Sequence, residues 1–179
     1  MNIEEKIADY VDKKSQYLKA SKVDIRSIKL EERVRLQCFH CEKYEQKWTC
    51  PPRVNRINFE KVFSEYSNAM IIYCKIPYRN KTEYVMVRED STNLVHKTLL
   101  ELEKILYKNN QVFAMSFIGG SCKLCKDGCS KKRCRFPNLA RIPLEATGVN
   151  VMDFVKRELG IEIKFPLDGY MYRFGLLLW

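Results

Sequence analysis

Four cysteines fall within thirteen residues at Cys122, Cys125, Cys129 and Cys134, spaced C-x2-C-x3-C-x4-C, with Arg135-Phe136-Pro137 directly after them. No packed core calls for that density of thiols, so this stretch constrains the fold more than any other. The spacing is near to, but not the same as, the bacterial ferredoxin run C-x2-C-x2-C-x3-C-P. Short irregular spacings let one loop wrap a compact inorganic centre. A second group lies far upstream as Cys38-x2-Cys41-x8-Cys50, followed by Pro51-Pro52.

How the eight cysteines are read depends on compartment. Met1-Asn2-Ile3-Glu4-Glu5-Lys6 lacks the charged-then-apolar pattern of a signal peptide. Apolar runs such as Met70 to Cys74 and Leu176 to Trp179 have the length of strands, not of membrane spans. A cytoplasmic chain with no membrane contact is therefore expected. In a reducing cytosol, clustered thiols are metal ligands or redox groups more often than disulfides.

The second group supplies a complete thiolate set for one [4Fe–4S] cluster. Gly119, Gly120 and Gly128 allow the backbone to come close, so that peptide N–H groups can bond to cluster sulfur. The first group has only three cysteines. Its fourth position falls to His40, to Cys74, to a cysteine of the other group, or to an exchangeable ligand. Three protein ligands and an open position are the layout of a reactive metal site. Cys74 sits in an apolar strand and is left out, because free cysteine is among the most buried residue types. His40 reads as a loop histidine without a ligand role. Tyr44, Trp48 and Phe136 lie where they could shield a centre from water. Arg53, Arg141 and Glu145 stand near the motifs, and surface ion pairing is the first reading for them.

Zinc is the competing metal. Two C-x2-C knuckles, Cys38/Cys41 and Cys122/Cys125, could form one tetrahedral site. That leaves Cys50, Cys129 and Cys134 without a role, so iron–sulfur is preferred. The net charge of +10 raises nucleic acid as a partner. However, Lys123, Lys126, Lys131, Lys132, Arg133 and Arg135 surround the second group against only Asp127. Compensation of a thiolate cluster, or docking of an acidic redox partner, is the better account.

Helical spacing over residues 1–20 (Ile3, Ile7, Tyr10, Val11, Tyr17, Leu18) predicts an N-terminal helix. Period-two character predicts a strand over Val23–Leu30. The two cysteine loops span 38–53 and 119–137. Asn58 should cap a helix bearing Phe59, Val62, Phe63 and Tyr66. Ala69–Ile76 reads as a buried central strand, and the longest helix is expected to be capped by Asp90 or Ser91 and to end at Asn109-Asn110. Gln111–Ile118 reads as another buried strand. Asn150 should cap Val151–Leu159, with Asp153 as its capping-box partner and Gly160 as the stop. Tyr172–Trp179 closes the chain as a strand. Alternating strands and helices predict one α/β layered domain over residues 1–179, on a sheet of four or five strands with the metal loops at strand ends.

The segments Cys38-Phe39-His40-Cys41-Glu42-Lys43-Tyr44-Glu45-Gln46-Lys47-Trp48-Thr49-Cys50-Pro51-Pro52, Gly120-Ser121-Cys122-Lys123-Leu124-Cys125 and Cys134-Arg135-Phe136-Pro137-Asn138-Leu139-Ala140-Arg141 resemble the domain-of-unknown-function family 2284. So does the tail Leu144 to Val151. The likeness runs from about Val23 to the last residue. It departs at Arg141-Ile142-Pro143, where the family pattern has Arg-Pro-Ser. Members are described as predicted metal-binding proteins, which implies ligands at the seven loop cysteines and supplies no reaction. Together these readings predict a protein with one or two [4Fe–4S] clusters, the four-cysteine one as electron relay. Electron transfer to a redox partner, or redox or sulfur chemistry on a small molecule, is the expected activity. A zinc-stabilised module binding nucleic acid or an acidic protein is the alternative.

Overall fold

In a computed structural model that describes residues 1–167 and 169–179, four strands form one sheet in the order β1-β2-β4-β3, every neighbouring pair antiparallel. The strands are β1 (Leu18–Val23), β2 (Ala69–Pro77), β3 (Met115–Phe117) and β4 (Tyr170–Leu178). The helices are α1 (Ile3–Lys14), α2 (Glu32–Phe39), α3 (Phe59–Ser64), α4 (Lys81–Lys108) and α5 (Val151–Leu159). The result is the expected α/β layered fold.

Strand alternation sorts the core into two layers. On β2, Met70, Ile72 and Cys74 face one side and join Ile7 and Val11 of α1 and Val95, Leu99, Leu102 and Leu106 of α4. Ile71 faces the other side with Leu176 and Leu178 of β4, against Phe59 and Phe63 of α3 and Phe154 and Val155 of α5. Full burial of each such aliphatic or aromatic side chain stabilises by about 1.5–3 kcal/mol. Burial on both faces is why β2 reads as a continuous apolar run. Gly175, opposite Ile72 on β4, lets α4 approach closely. A Cβ there would lie 2.6 Å from Leu99 Cδ1.

The caps at Asn58 and Asn150 form as expected, each side chain accepting the backbone N–H three residues on, and Gly160 ends α5 in the left-handed region. Asp153 does not complete a capping box. Its carboxylate pairs with Arg157 at 2.8 Å instead.

Four expectations are corrected. The N-terminal helix stops at Lys14, and residues from Leu18 pair with β2 in the register Leu18↔Cys74 to Val23↔Ala69. Sheet pairing there outweighs the helical spacing of Tyr17 and Leu18. Val23–Leu30 is not a strand. Asp24 caps a short 3-10 turn, Ile25–Ser27, and Leu30 makes only a bridge to Val149. The long helix starts at Lys81, capped by Asn80 and not by Asp90 or Ser91. Its first turns are largely exposed, and their apolar residues, Tyr84 to Val87, run consecutively instead of at helical spacing, so apolar periodicity misses them. Last, the 111–118 strand is cut to Met115–Phe117 at the sheet edge, while β4 lies centrally between β2 and β3. Among the described residues no helix is long and apolar enough to cross a membrane.

Candidate metal centre

The first cysteine group grows out of a helix, not a loop: Cys38 lies in the last turn of α2. That helix is tied to the segment after the second group, because Glu31 N–H donates to Gly148 O at 2.8 Å and Arg35 Nη2 to Thr147 O at 3.1 Å. Gly148 has φ 104°, and its missing Cβ leaves room for the Arg35 guanidinium. Beyond Cys38 the chain turns back on itself. Cys41 N–H bonds to Cys38 O at 3.1 Å, and Glu45 N–H to Pro51 O at 3.0 Å closes the turn that carries Cys50. Lys43 N–H points to Cys41 Sγ at 3.4 Å.

Cys38, Cys41 and Cys50 all line one cavity of about 310 Å³. Its walls also carry Arg88, Lys123, Glu145 and Arg173, which come from α4, the second cysteine loop, the turn before α5, and β4. Glu145 accepts Gly120 N–H at 3.4 Å. Burial pushes its carboxyl pKa up, with the Gly120 hydrogen bond and Arg173 opposing. The Arg173 guanidinium is held below its ordinary range by burial, with Arg88 adding and Glu145 opposing. Its Nη2 donates to Arg88 O at 3.2 Å, and its Nε is buried with no hydrogen-bond partner among the described residues.

The second group starts where β3 ends. Gly119 presses on β4 so tightly that a Cβ would lie 2.2 Å from Phe174 O. Cys122, Cys125, Cys129 and Cys134 then line a second, smaller and less open cavity with Trp48 and Phe136. Gly128, at φ 79°, donates its N–H to Cys125 O at 3.3 Å, and Arg135 Nη1 reaches Gly128 O at 3.3 Å. Thr49 also borders this cavity, and its buried Oγ1 has no hydrogen-bond partner among the described residues. An orphaned hydroxyl beside four thiols fits a group that offers acceptors, as the sulfides of an iron–sulfur cluster do.

The thiols therefore sort as four and three about separate cavities, and Cys38/Cys41 and Cys122/Cys125 do not share one. Among the described residues no three His, Cys, Asp or Glu side chains converge closely enough for a single metal ion. Without a cation three of the thiols, Cys38, Cys50 and Cys122, resist ionisation. Burial first, then neighbouring Cys38 and Cys41, pushes Cys50 up to about 12. Cys38 is raised by burial, Cys41 and Glu145, and Cys122 by burial with Cys129 and Cys134 adding. A bound metal inverts that logic, because a coordinating thiol is deprotonated outright.

Cys74 lies in β2, its thiol pushed up to about 12 by burial and 4.0 Å from Ser91 O, in the core and in neither cavity. His40 is an exposed helix cap stacked edge-on against Phe39 and lines neither cavity. Tyr44 lines the larger cavity. Arg53 lies over the Trp48 ring at 3.9 Å, and Arg141 forms an ion pair with Glu103, each side chain only 13% exposed. Glu145, by contrast, is a cavity residue and makes no ion pair among the described residues. Arg88 and Arg173 have no local sequence signal. Only the Gly119-Gly120 pair hints at a close approach in this region.

The family model described as "Predicted metal-binding protein (DUF2284)" matches residues 21–179 of the chain. No curated protein and no solved structure matches it.

Proposed function

The chain belongs to this family of predicted metal-binding proteins, and from that premise we propose that it is an iron–sulfur protein with two centres. Cys122, Cys125, Cys129 and Cys134 hold a four-iron cluster. Cys38, Cys41 and Cys50 hold a second, with one position left for a ligand that is not cysteine. The observation that carries this reading is the sorting of seven thiols into a set of four about one small cavity and a set of three about a larger, more open one. A shared zinc site drawing on both C-x2-C knuckles would leave that sorting without a reason.

Such clusters, when bound, supply one-electron redox chemistry. The chain's own residues set the conditions. Trp48 and Phe136 keep water from the four-thiol cavity, Thr49 Oγ1 offers a donor there, and Lys43 N–H offers one to Cys41. Lys126, Lys131, Lys132, Arg133 and Arg135 are all exposed about the four-cysteine loop, a basic collar suited to an acidic redox partner. The four-thiol centre acts as relay, and the open one meets a small molecule in the larger cavity.

Anaerobic purification with a visible spectrum and counts of iron, zinc and sulfide per chain tests this. About eight iron and eight sulfide, with broad absorbance near roughly 400 nm, is the expected result for two thiolate-bound four-iron clusters. Zinc without sulfide or colour overturns it.

A further inference from the structure

We propose that the larger cavity binds a small organic carboxylate, gripped by Arg173, Arg88 and Lys123 beside the three thiols. This deepens the metal reading and rests on it, since the ligand would lie next to the position that cysteine does not fill.

Four cations border the cavity: Lys43 pairs with Glu42, while Arg88, Lys123 and Arg173 form no ion pair among the described residues. Like charges sharing one partly dry wall repel one another, and an anion seated among them removes that repulsion. The two carboxyls in the same wall do not fill the role. Glu42 is taken by Lys43 at 3.0 Å, and Glu145 accepts Gly120 N–H.

Arg173 is built into position. It projects from the central strand β4, and two successive glycines clear its path. A Cβ on Gly119 would stand 2.9 Å from Arg173 Cδ, and one on Gly120 would stand 3.1 Å from its Nη1. A planar guanidinium so placed matches a carboxylate in fork geometry.

The rest of the wall selects an organic body over a bare inorganic anion. Pro51, Pro143, Ala146 and Tyr44 give it apolar surface. A neighbouring cavity of about 190 Å³ shares Arg88, Glu145 and Arg173 and is lined further by Met171, Phe174 and Ile163, which offers apolar surface past the arginines for a short chain. At about 310 Å³, part of which the second cluster would take, the main cavity leaves room only for a small molecule. Nucleotides and long acyl chains are too large for it.

The test is equilibrium binding of acetate, butyrate and inorganic phosphate to the anaerobically purified protein, with iron and sulfide counted in each sample. The variants are Arg88→Gln, on an exposed helical position, and Arg173→Lys, which keeps the charge but loses the fork. Saturable butyrate binding, tighter than phosphate and weakened about tenfold or more in both variants at unchanged iron, is expected. Full iron without saturable carboxylate binding overturns the inference and leaves the metal reading standing. Phosphate binding more tightly than butyrate overturns it too. So does loss of iron in Arg88→Gln with butyrate affinity unchanged, which would make the cations counter-charges of the cluster. An iron-free protein overturns the metal reading instead, and the Arg88 dependence of butyrate binding in that sample still decides the pocket.

Discussion

Trp48, in the first cysteine segment, donates its indole Nε1–H to the carbonyl oxygen of Ser130, 82 residues further along in the second, at 2.7 Å. This bond joins the two thiol groups directly. Replacing Trp48 by Phe keeps an aromatic ring under Arg53 but leaves the Ser130 carbonyl without its donor. A loss of about 1 kcal/mol in stability is expected. The more telling readout is iron release to a chelator, which should run several-fold faster while the initial iron count stays the same.

Cys125→Ser should remove the four-thiol centre and lower iron by about four per chain. Cys74→Ala is its control. That thiol is wholly buried in the β2 core, far from the ligand role, so the change should cost about 1 kcal/mol by leaving a small void and should leave the iron count intact. Iron lost from Cys74→Ala, or retained in Cys125→Ser, would reassign the ligands.

Two glycines of the second loop should fail for different reasons. At Gly119 a Cβ would meet the Phe174 carbonyl at 2.2 Å, a backbone atom that cannot give way. Gly119→Ala should therefore cost about 3 kcal/mol and disturb the start of the cysteine loop. At Gly128 nothing lies within 4 Å, but φ is +79°. Gly128→Ala should cost only about 1 kcal/mol, from the left-handed backbone alone. Urea midpoints of the two variants separate these outcomes.

His96, buried in α4 with Nε2 2.8 Å from Leu139 O, gives the fold a pH dependence. Burial lowers its pKa below the ordinary 6.5, Arg141 adds to this, and Leu139 O and Glu103 oppose it. The unfolded chain therefore takes up the proton first as pH falls. Its contribution is whole above 6.5 and is lost as pH drops from there through the lowered folded value. His96→Gln should flatten the fall in urea midpoint between about pH 7 and about pH 5.

Much of this protein is legible in its residues, where the signal is local. Asn58 and Asn150 announce their helices, and the apolar run from Ala69 announces β2, because caps and burial act within a few residues. The division of seven cysteines into two groups is likewise visible in their spacing. Long-range events are not. β1 was hidden because Leu18 gains more from pairing with Cys74 than from extending α1. The start of α4 was hidden behind exposed turns, although Asn80 with Glu83 three residues on was the available cue. Arg88 and Arg173, 85 residues apart, meet only because β4 lies against α4. No periodicity along the chain records that meeting.

The position of β4 between β2 and β3 has a consequence for how the molecule comes into being. Both cysteine groups precede β4 along the chain, so they leave the ribosome before the strand that bridges β2 to β3. Until it inserts, those two strands have no common partner, and the wall that carries Arg173 does not exist. The thiols are thus made before the cavity has its Arg173 wall. The last strand of the sheet to be made is therefore the one that completes the pocket.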